Sequence, residues 1–262
     1  MMTALTRYAA PVSGLVAIFG GCELYVRVGD VSPLMLPAPS RIVIHLISNV
    51  GFYARNGWVT FAEAMAGFVL ALAIALAAAT AMAHSRFVER ASIPVIVLIQ
   101  STPVAVLAPV FLLWFGFSPT PKVLVAMLFA FAPFVSNALT GLRTVDQDTL
   151  DVMHSVNASQ WEVLRYLRFP NALPGLFSAG RIAVSLALVG AIIGELYGGS
   201  TAGLGYQVRI AQSRNFVDEL WGSILALAFM GIVLTLAVMS LERRVLRWHS
   251  SQTTFPSTNK RV

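Results

Sequence analysis

The sequence predicts an all-α integral membrane protein with six transmembrane helices, and three observations carry that expectation. Only 11% of the 262 residues are charged and 57% are hydrophobic, against about 25% charged in an ordinary soluble domain. Six windows are apolar over the roughly 20 residues a helix needs to cross a bilayer. One of the segments between them, Thr144 to Phe169, is polar and carries helix signals of its own. A mean hydropathy of +0.75 leaves too little charge to cover a folded chain in water, so one membrane domain is the expected architecture.

The first window, Ala10 to Val28, contains Glu23. A cleaved signal peptide would need a small-x-small site, which "VAIFGGCEL" lacks, so an uncleaved span is expected. The single cysteine, Cys22, excludes an intrachain disulfide and a cysteine metal cluster. Phe19 stands where a lipoprotein cleavage site would have a small residue, so Cys22 reads as a buried small hydrophobe. The following "SPLMLPAPSRIVIHLISNVGFYARNGWV" is too polar to cross. Its portion "PSRIVIHLISNVGFYA" has apolar residues at helical spacing and is expected to pack as an external connecting helix. Residues 1–60 therefore read as an N-terminal span plus that helix. The windows Phe61 to Ala83, Ser92 to Phe115, Lys122 to Leu142, Leu176 to Tyr197 and Leu220 to Leu241 make 61–245 the core, and 246–262 a tail.

Six spans put both termini on one side, and the excess of Lys and Arg marks the cytoplasm. With the N-terminus inside, Arg7, Arg86, Arg90, Arg143, Arg165, Arg168, Arg181, Arg243, Arg244, Arg247, Lys260 and Arg261 are inner. Arg27, Arg41, Arg55, Lys122, Arg209 and Arg214 are outer. This division places the polar segment between spans 4 and 5 in the cytoplasm. The net charge of +6 is scattered among loops, without the basic face that nucleic acid requires.

Polar groups at membrane depth face protein or a water-filled path. Gln100, Ser101 and Thr102 beside Pro103 interrupt the third span. Ser136 and Asn137 follow Pro133 in the fourth, and Glu195 lies near the outer end of the fifth. A kinked span with freed carbonyls makes a wall for a translocation pathway, so Gln100, Ser101, Asn137 and Glu195 are its candidates. The competing reading for Gln100 and Asn137 is a satisfied helix–helix hydrogen bond, and for Glu195 a structural or gating contact near the outer surface.

The polar segment divides into two short helices. Asp148 is placed to cap the first, with Asp151 also near its positive end. Asn157 suits the left-handed conformation that ends it, and Ser159-Gln160-Trp161-Glu162 spells a capping box that starts the second. Pro170 is expected to stop that second helix at Phe169. Val152, Met153, Val156, Val163, Leu164 and Leu167 recur at helical spacing and read as one apolar face. Two short helices with a sharp bend make a docking surface; a solvated linker is the plainer alternative. Arg165 and Arg168 are too few cations for a DNA-reading helix-turn-helix.

No G-x-x-x-x-G-K-[ST] occurs, and the only lysines are Lys122 and Lys260, so this chain cannot cradle a nucleotide in the usual way. The glycine-rich "GELYGGSTAGLG" has no lysine and reads as a flexible turn with close backbone packing. The four histidines show no metal spacing, and "GGSTA" lacks the last glycine of a nucleophile elbow, which leaves Ser200 a poor nucleophile. No catalytic residue, metal or cofactor is expected on this chain.

At this point the residues resemble the permease subunit of bacterial ABC importers, whose cytoplasmic loop reads E-A-A, three residues, G, nine residues, I, one residue, L-P. Asp151-Val152-Met153 stand at the E-A-A positions, Asn157 at the glycine, Leu167 at the isoleucine and Phe169-Pro170 at L-P. The spacing is kept while most identities change. "QSTPVAVLAPVFLLWFGFSPTPKVLVAMLFAFAPFVSNALTGLRTVD", "NALPGLFSAGRIAVSLALVGAIIGELYGGSTAGLGYQV" and "LPAPSRIV" are similar to the branch that imports nitrate, sulfonates, taurine and pyrimidine- or riboflavin-type vitamins. The resemblance spans roughly Leu36 to Glu242.

The resemblance implies a permease core over 61–245 in the bacterial inner membrane and a coupling helix that inserts into an ATPase subunit. Carried over by position, Asp151, Ser155, Val156, Asn157, Ala158 and Ser159 would couple, with Trp161 and Arg165 behind them and Pro170 closing the motif. Implied partners are two ABC ATPase subunits, a second copy of the permease and an extracytoplasmic substrate-binding protein. Asp for Glu shortens one carboxylate, and Asn for Gly adds a side chain at the bend while preserving left-handed geometry. The rival class, an ATP-independent channel or secondary carrier, needs an ion-coupling group deep in the membrane, for which Glu195 and Glu23 are the candidates.

Overall fold

The computed structural model describes residues 2–247 other than 30, 33 and 35, and within the first helix it describes side chains for 13, 14 and from 16 onward. The side chain of Arg7, and the tail from 248 with Lys260 and Arg261, lie outside the described residues. Among the described residues all regular structure is helical. The first element is α1 (Met2–Val28) and the second α2 (Pro39–Ser48), which opens on Pro39, where a missing N–H costs nothing. Asn49 ends α2, its side-chain amide donating to the His45 carbonyl at 2.9 Å. Its own carbonyl accepts from Phe52 and Tyr53 N–H and starts α3 (Val50–His84). The connecting helix is therefore shorter than its periodicity suggests, and residues 50–60 belong to the long helix that follows.

Helix α4 (Arg86–Ser101) is capped by the Ser85 hydroxyl, which accepts from Val88 N–H. It ends where Thr102 adopts extended geometry before Pro103. A 3₁₀ turn, Val104–Val106, leads into α5 (Leu107–Phe115), bent by 77° from α4. The interruption expected at Gln100 to Pro103 is present. Then follow α6 (Thr120–Arg143), α7 (Gln147–Ser155), α8 (Gln160–Val163), a π turn at Leu164–Arg168, α9 (Phe169–Tyr197), α10 (Leu204–Arg214) and α11 (Val217–Val245).

The polar segment departs from expectation at two points. The residue preceding α7 is Asp146, not Asp148, which sits inside its first turn. The helix begun at Gln160 does not stop at Phe169 but runs on through α9 to Tyr197. The π turn explains the passage of Pro170: Phe169 N–H donates back five residues to the Leu164 carbonyl. The hydrogen-bond ladder changes register just ahead of the proline, where its absent N–H is tolerated.

Helices α3, α6 and α9 form the packed centre. Ala71, Ala75 and Ala79 of α3 and Ala179, Ala183, Ala187 and Ala191 of α9 recur every four residues and are fully buried, so each helix presents a small-residue stripe. Without a hydrophobic driving force in lipid, such stripes allow the close backbone approach that holds helices together. Gly190 and Gly194 bring α9 nearest to α6: a Cβ on Gly190 would lie 2.6 Å from Ala126 Cα, and one on Gly194 2.7 Å from Lys122 Cα. Phe134 fills the remaining gap, edge-on to Phe68 at 5.1 Å.

Helix α11 lies outside this core with Phe229, Ile232 and Leu236 exposed. Cys22 is half-buried, not the buried hydrophobe expected, because the described side chains around it in α1 are mostly exposed and the helix packs chiefly against α2. Among the described residues four helices are long and apolar enough to cross a membrane, Val50–His84, Thr120–Arg143, Gln160–Tyr197 and Val217–Val245, with a fifth if the bent pair of α4 and Val104–Phe115 counts as one span.

Candidate functional site

The bend between α7 and α8 is built from local hydrogen bonds. Asn157 takes φ +53°, as its position required. Ala158 N–H donates to the Met153 carbonyl and Asn157 N–H to that of His154, both at 3.0 Å, which is the Schellman arrangement that closes a helix on a left-handed residue. The capping box forms in full. Ser159 N–H donates to Glu162 Oε2 at 2.7 Å, and Glu162 N–H donates to Ser159 Oγ at 3.3 Å.

This knuckle is tied to the bundle behind it. The Asn171 amide donates to the Thr144 and Gly141 carbonyls at 2.6 and 3.1 Å, holding the end of α6. Arg143 pairs with Glu89 and donates to the Met82 carbonyl at 3.1 Å, which fixes the α3–α4 turn to the same place. Asp151, Ser155, Val156, Asn157, Ser159, Trp161 and Arg165 are exposed, and Ala158 and Pro170 are half-buried. The expected single apolar face is divided. Val152 and Val156 are exposed while Val163 and Leu164 are buried, because the bend turns α8 and the π turn inward against the core.

The pathway candidates do not form one constellation. Gln100 and Ser101 are exposed at the α4 break, with Ser101 Oγ donating to the Leu98 carbonyl at 3.1 Å. Asn137 is half-buried and donates to the Pro133 carbonyl of its own helix at 2.9 Å, so its partner is local, not a neighbouring helix. Among the described residues no hydrogen bond joins Gln100, Ser101 or Asn137 to Glu195.

Glu195 instead lies in a sealed polar cluster at the opposite end of α9 from the knuckle. Thr60 Oγ1 donates to Glu195 Oε1 at 2.7 Å, and Gly205 N–H donates to Glu195 Oε2 at 2.5 Å. Leu204 N–H donates to Thr60 Oγ1 at 2.8 Å, and Gly203 N–H to Asn56 Oδ1 at 3.2 Å. Three orphan donors at the start of α10 thus find acceptors on α3 and α9, and the carboxylate also meets the positive end of the α10 dipole. Lys122 Nζ lies 3.5 Å from Glu63 Oε1 beside this cap, both side chains 6% exposed.

The glycine-rich segment packs its backbone closely around the carboxylate. Gly203 has φ +109°, and a Cβ there would run into the Glu195 carboxylate. Asn56, Thr60, Glu63 and Lys122 were not legible as functional residues: the first three fell before or at the edge of an apolar window, and Lys122 read as an exposed outer charge. Their signal is the spacing of Asn56, Thr60 and Glu63, four and three residues apart, which puts them on one face of a helix. Among the described residues no group of three His, Cys, Asp or Glu is placed to hold a metal ion.

Comparison with known proteins bears on both features. Residues 58–249 match the family described as the binding-protein-dependent transport system inner membrane component. The chain is 34% identical over 219 residues to the riboflavin transport system permease protein RibX of Chloroflexus aurantiacus, covering 83% of this chain and 81% of that one. It is 32% identical over 221 residues to the formylaminopyrimidine transport permease protein ThiX of Halalkalibacterium halodurans, covering 84% and 88%. It is 30% identical over 226 residues to the taurine transport system permease protein TauC of Escherichia coli, covering 84% and 82%. Its fold is similar to that of a chain of the methionine ABC transporter MetNI in an inward-facing conformation, with a TM-score of 0.64 at 16% identity over 72% of this chain and 93% of that chain. The chain therefore belongs to the binding-protein-dependent transport system inner membrane components, as an ABC transporter permease that is not itself an ATPase.

Proposed function

We propose that this chain builds the translocation pathway of an ATP-driven importer and takes its energy through the α7–α8 knuckle. Asp151, Ser155, Val156, Asn157, Ala158 and Ser159 would enter a groove on an ATPase subunit, with Trp161, Arg165 and Pro170 behind them. One observation carries this reading: the knuckle is preformed and exposed in a chain without a phosphate loop of its own. In this reading α1 completes six spans, both termini are cytoplasmic, and two copies of the chain pair with two ATPase subunits and an extracytoplasmic binding protein. Gln100, Ser101 and Asn137 line the route, and Glu195 holds its outer end. Closure of the ATPase pair on ATP would draw the two knuckles together and open the route outward.

The cargo would be a small polar or anionic solute, a nitrate-, sulfonate-, taurine- or pyrimidine-like compound. Support comes from relatives whose names specify riboflavin, formylaminopyrimidine and taurine. An ion-coupled carrier finds less support, since both of its candidate carboxylates are committed. Glu195 caps α10, and Glu23 pairs with Arg27 at 2.7 Å and accepts from Ser40.

The coupling reading is tested by Asn157→Trp and by deletion of residues 155–159 in the full chain. Both should insert normally yet lose co-purification with the ATPase and ATP-driven uptake; retained uptake would refute the assignment. A reporter fused after Lys260 should read cytoplasmic, and an external signal would reverse the topology. Binding measurements on the partner binding protein would identify the solute.

A further inference from the structure

Two cavities have His84 in their walls, at the end of α3 that faces the knuckle. The first, about 460 Å³, is polar and lined by Arg86, Arg143, Arg168, Glu89 and His84. It holds three guanidiniums against one carboxylate. Glu89 is already engaged by Arg143, and neither Arg86 nor Arg168 has an ion pair within 4 Å among the described residues. The second, about 650 Å³, is an open groove with Leu76, Ala77, Leu164 and Phe169 along its walls and Trp161 and Arg165 at its rim. His84 lines both.

The groove has the dimensions of a leaflet. Leu76 to His84 rises about 12 Å along α3 at 1.5 Å per residue, close to half of a hydrocarbon core about 30 Å thick. With this end of the bundle cytoplasmic, it would run from headgroup depth toward the bilayer centre. A cationic pocket and an apolar groove that share His84 in their walls match a molecule with an anionic head and a hydrocarbon chain, and basic pockets between spans on the cytoplasmic side suit such headgroups.

We propose that the two cavities form one binding site for an anionic phospholipid, its phosphate against Arg86 and Arg168 and one acyl chain in the groove beside Leu76 and Phe169. A bound lipid would lie beside the π turn, against Leu164 and Phe169, and would brace the segment that carries the bend. The inference rests on the proposed function only in taking this end of the bundle as cytoplasmic.

The test is native mass spectrometry of the full chain, delipidated in neutral detergent and titrated with phosphatidylglycerol or with phosphatidylcholine of the same acyl chains. The chain should retain one phosphatidylglycerol in preference to phosphatidylcholine. Arg86→Ala with Arg168→Ala should weaken that preference on the order of tenfold or more, from about 1 kcal/mol per cation. Ala77→Trp, which fills the groove and leaves the arginines, should release the lipid as well. Equal retention of the two lipids would overturn the proposal. So would displacement by inorganic phosphate together with an inert Ala77→Trp, since that result describes a free-anion site. The coupling reading is judged separately: Asn157→Trp should keep the lipid while losing the ATPase, and a variant that kept both would sink only the knuckle assignment.

Discussion

Thr60 and Glu195, 135 residues apart in sequence, share a 2.7 Å hydrogen bond between two fully buried side chains. The hydroxyl that donates to Glu195 Oε1 also accepts from Leu204 N–H, and Glu195 Oε2 accepts from Gly205 N–H. Three helices thus meet at one hydroxyl and one carboxylate. The start of α10 is held to α3 and α9 by polar bonds shielded from solvent, at the end of the bundle where the proposed route would open outward.

Removal of the Glu195 carboxylate should destabilise the fold. Glu195→Ala strands the Thr60 hydroxyl and Gly205 N–H without their acceptor, and buried donors left unmade cost about 1–3 kcal/mol each. A loss of roughly 2–6 kcal/mol is expected, read as a lower denaturant midpoint in detergent and faster amide exchange at Leu204 and Gly205. Unchanged exchange at both amides would show that α10 does not depend on this anchor.

Lys122 makes a sharper case, because its Nζ lies 3.5 Å from Glu63 Oε1 with both side chains 6% exposed. Lys122→Met leaves the buried Glu63 carboxylate without its cation, and breaking a buried pair from one side costs about 3–5 kcal/mol. Neutralising the partner as well, in Lys122→Met with Glu63→Gln, should restore most of the thermal stability. If the double variant is no more stable than the single one, the unpaired Glu63 charge is not what destabilises Lys122→Met.

Much of the fold was legible because its causes are local. The break at Thr102-Pro103, the left-handed Asn157 and the Ser159-Glu162 box follow from one or two residues and their immediate neighbours, and all three are present. The passage of Pro170 was not legible, since a π turn depends on Val163 and Leu164 being drawn into the core. The cluster at Glu195 was invisible for a related reason: its partners come from distant helices, and hydropathy windows treat Thr60 and Lys122 as boundary residues. Asn137 is the opposite case, since its amide bonds within its own helix to the Pro133 carbonyl.

Two glycines should respond oppositely to alanine. A Cβ on Gly190 would stand 2.6 Å from Ala126 Cα, while one on Gly51 meets nothing within 4 Å. Gly190→Ala should separate α9 from α6 at a cost of about 1–3 kcal/mol, as overpacking does. Gly51→Ala should be neutral or stabilise by up to about 1 kcal/mol through helix propensity. Comparative thermal unfolding of the two variants checks the sign, and a stable Gly190→Ala would mean that α6 and α9 are not held at backbone contact.

The bend at Asn157 separates geometry from chemistry. Its φ of +53° suits glycine without strain and costs other L-residues about 1–2 kcal/mol, most for a β-branched side chain. Asn157→Gly should therefore keep both Schellman bonds and the position of Ser159, whereas Asn157→Val should force the turn open and separate the capping box from α7. If the knuckle couples by shape, co-purified ATPase should stay with Asn157→Gly and fall steeply with Asn157→Val, with both proteins equally inserted. If Asn157→Gly loses the ATPase while its amide exchange shows an intact turn, the Asn157 side chain itself contacts the partner. That outcome would make the asparagine a determinant of which ATPase is accepted, where the family's loop pattern has glycine.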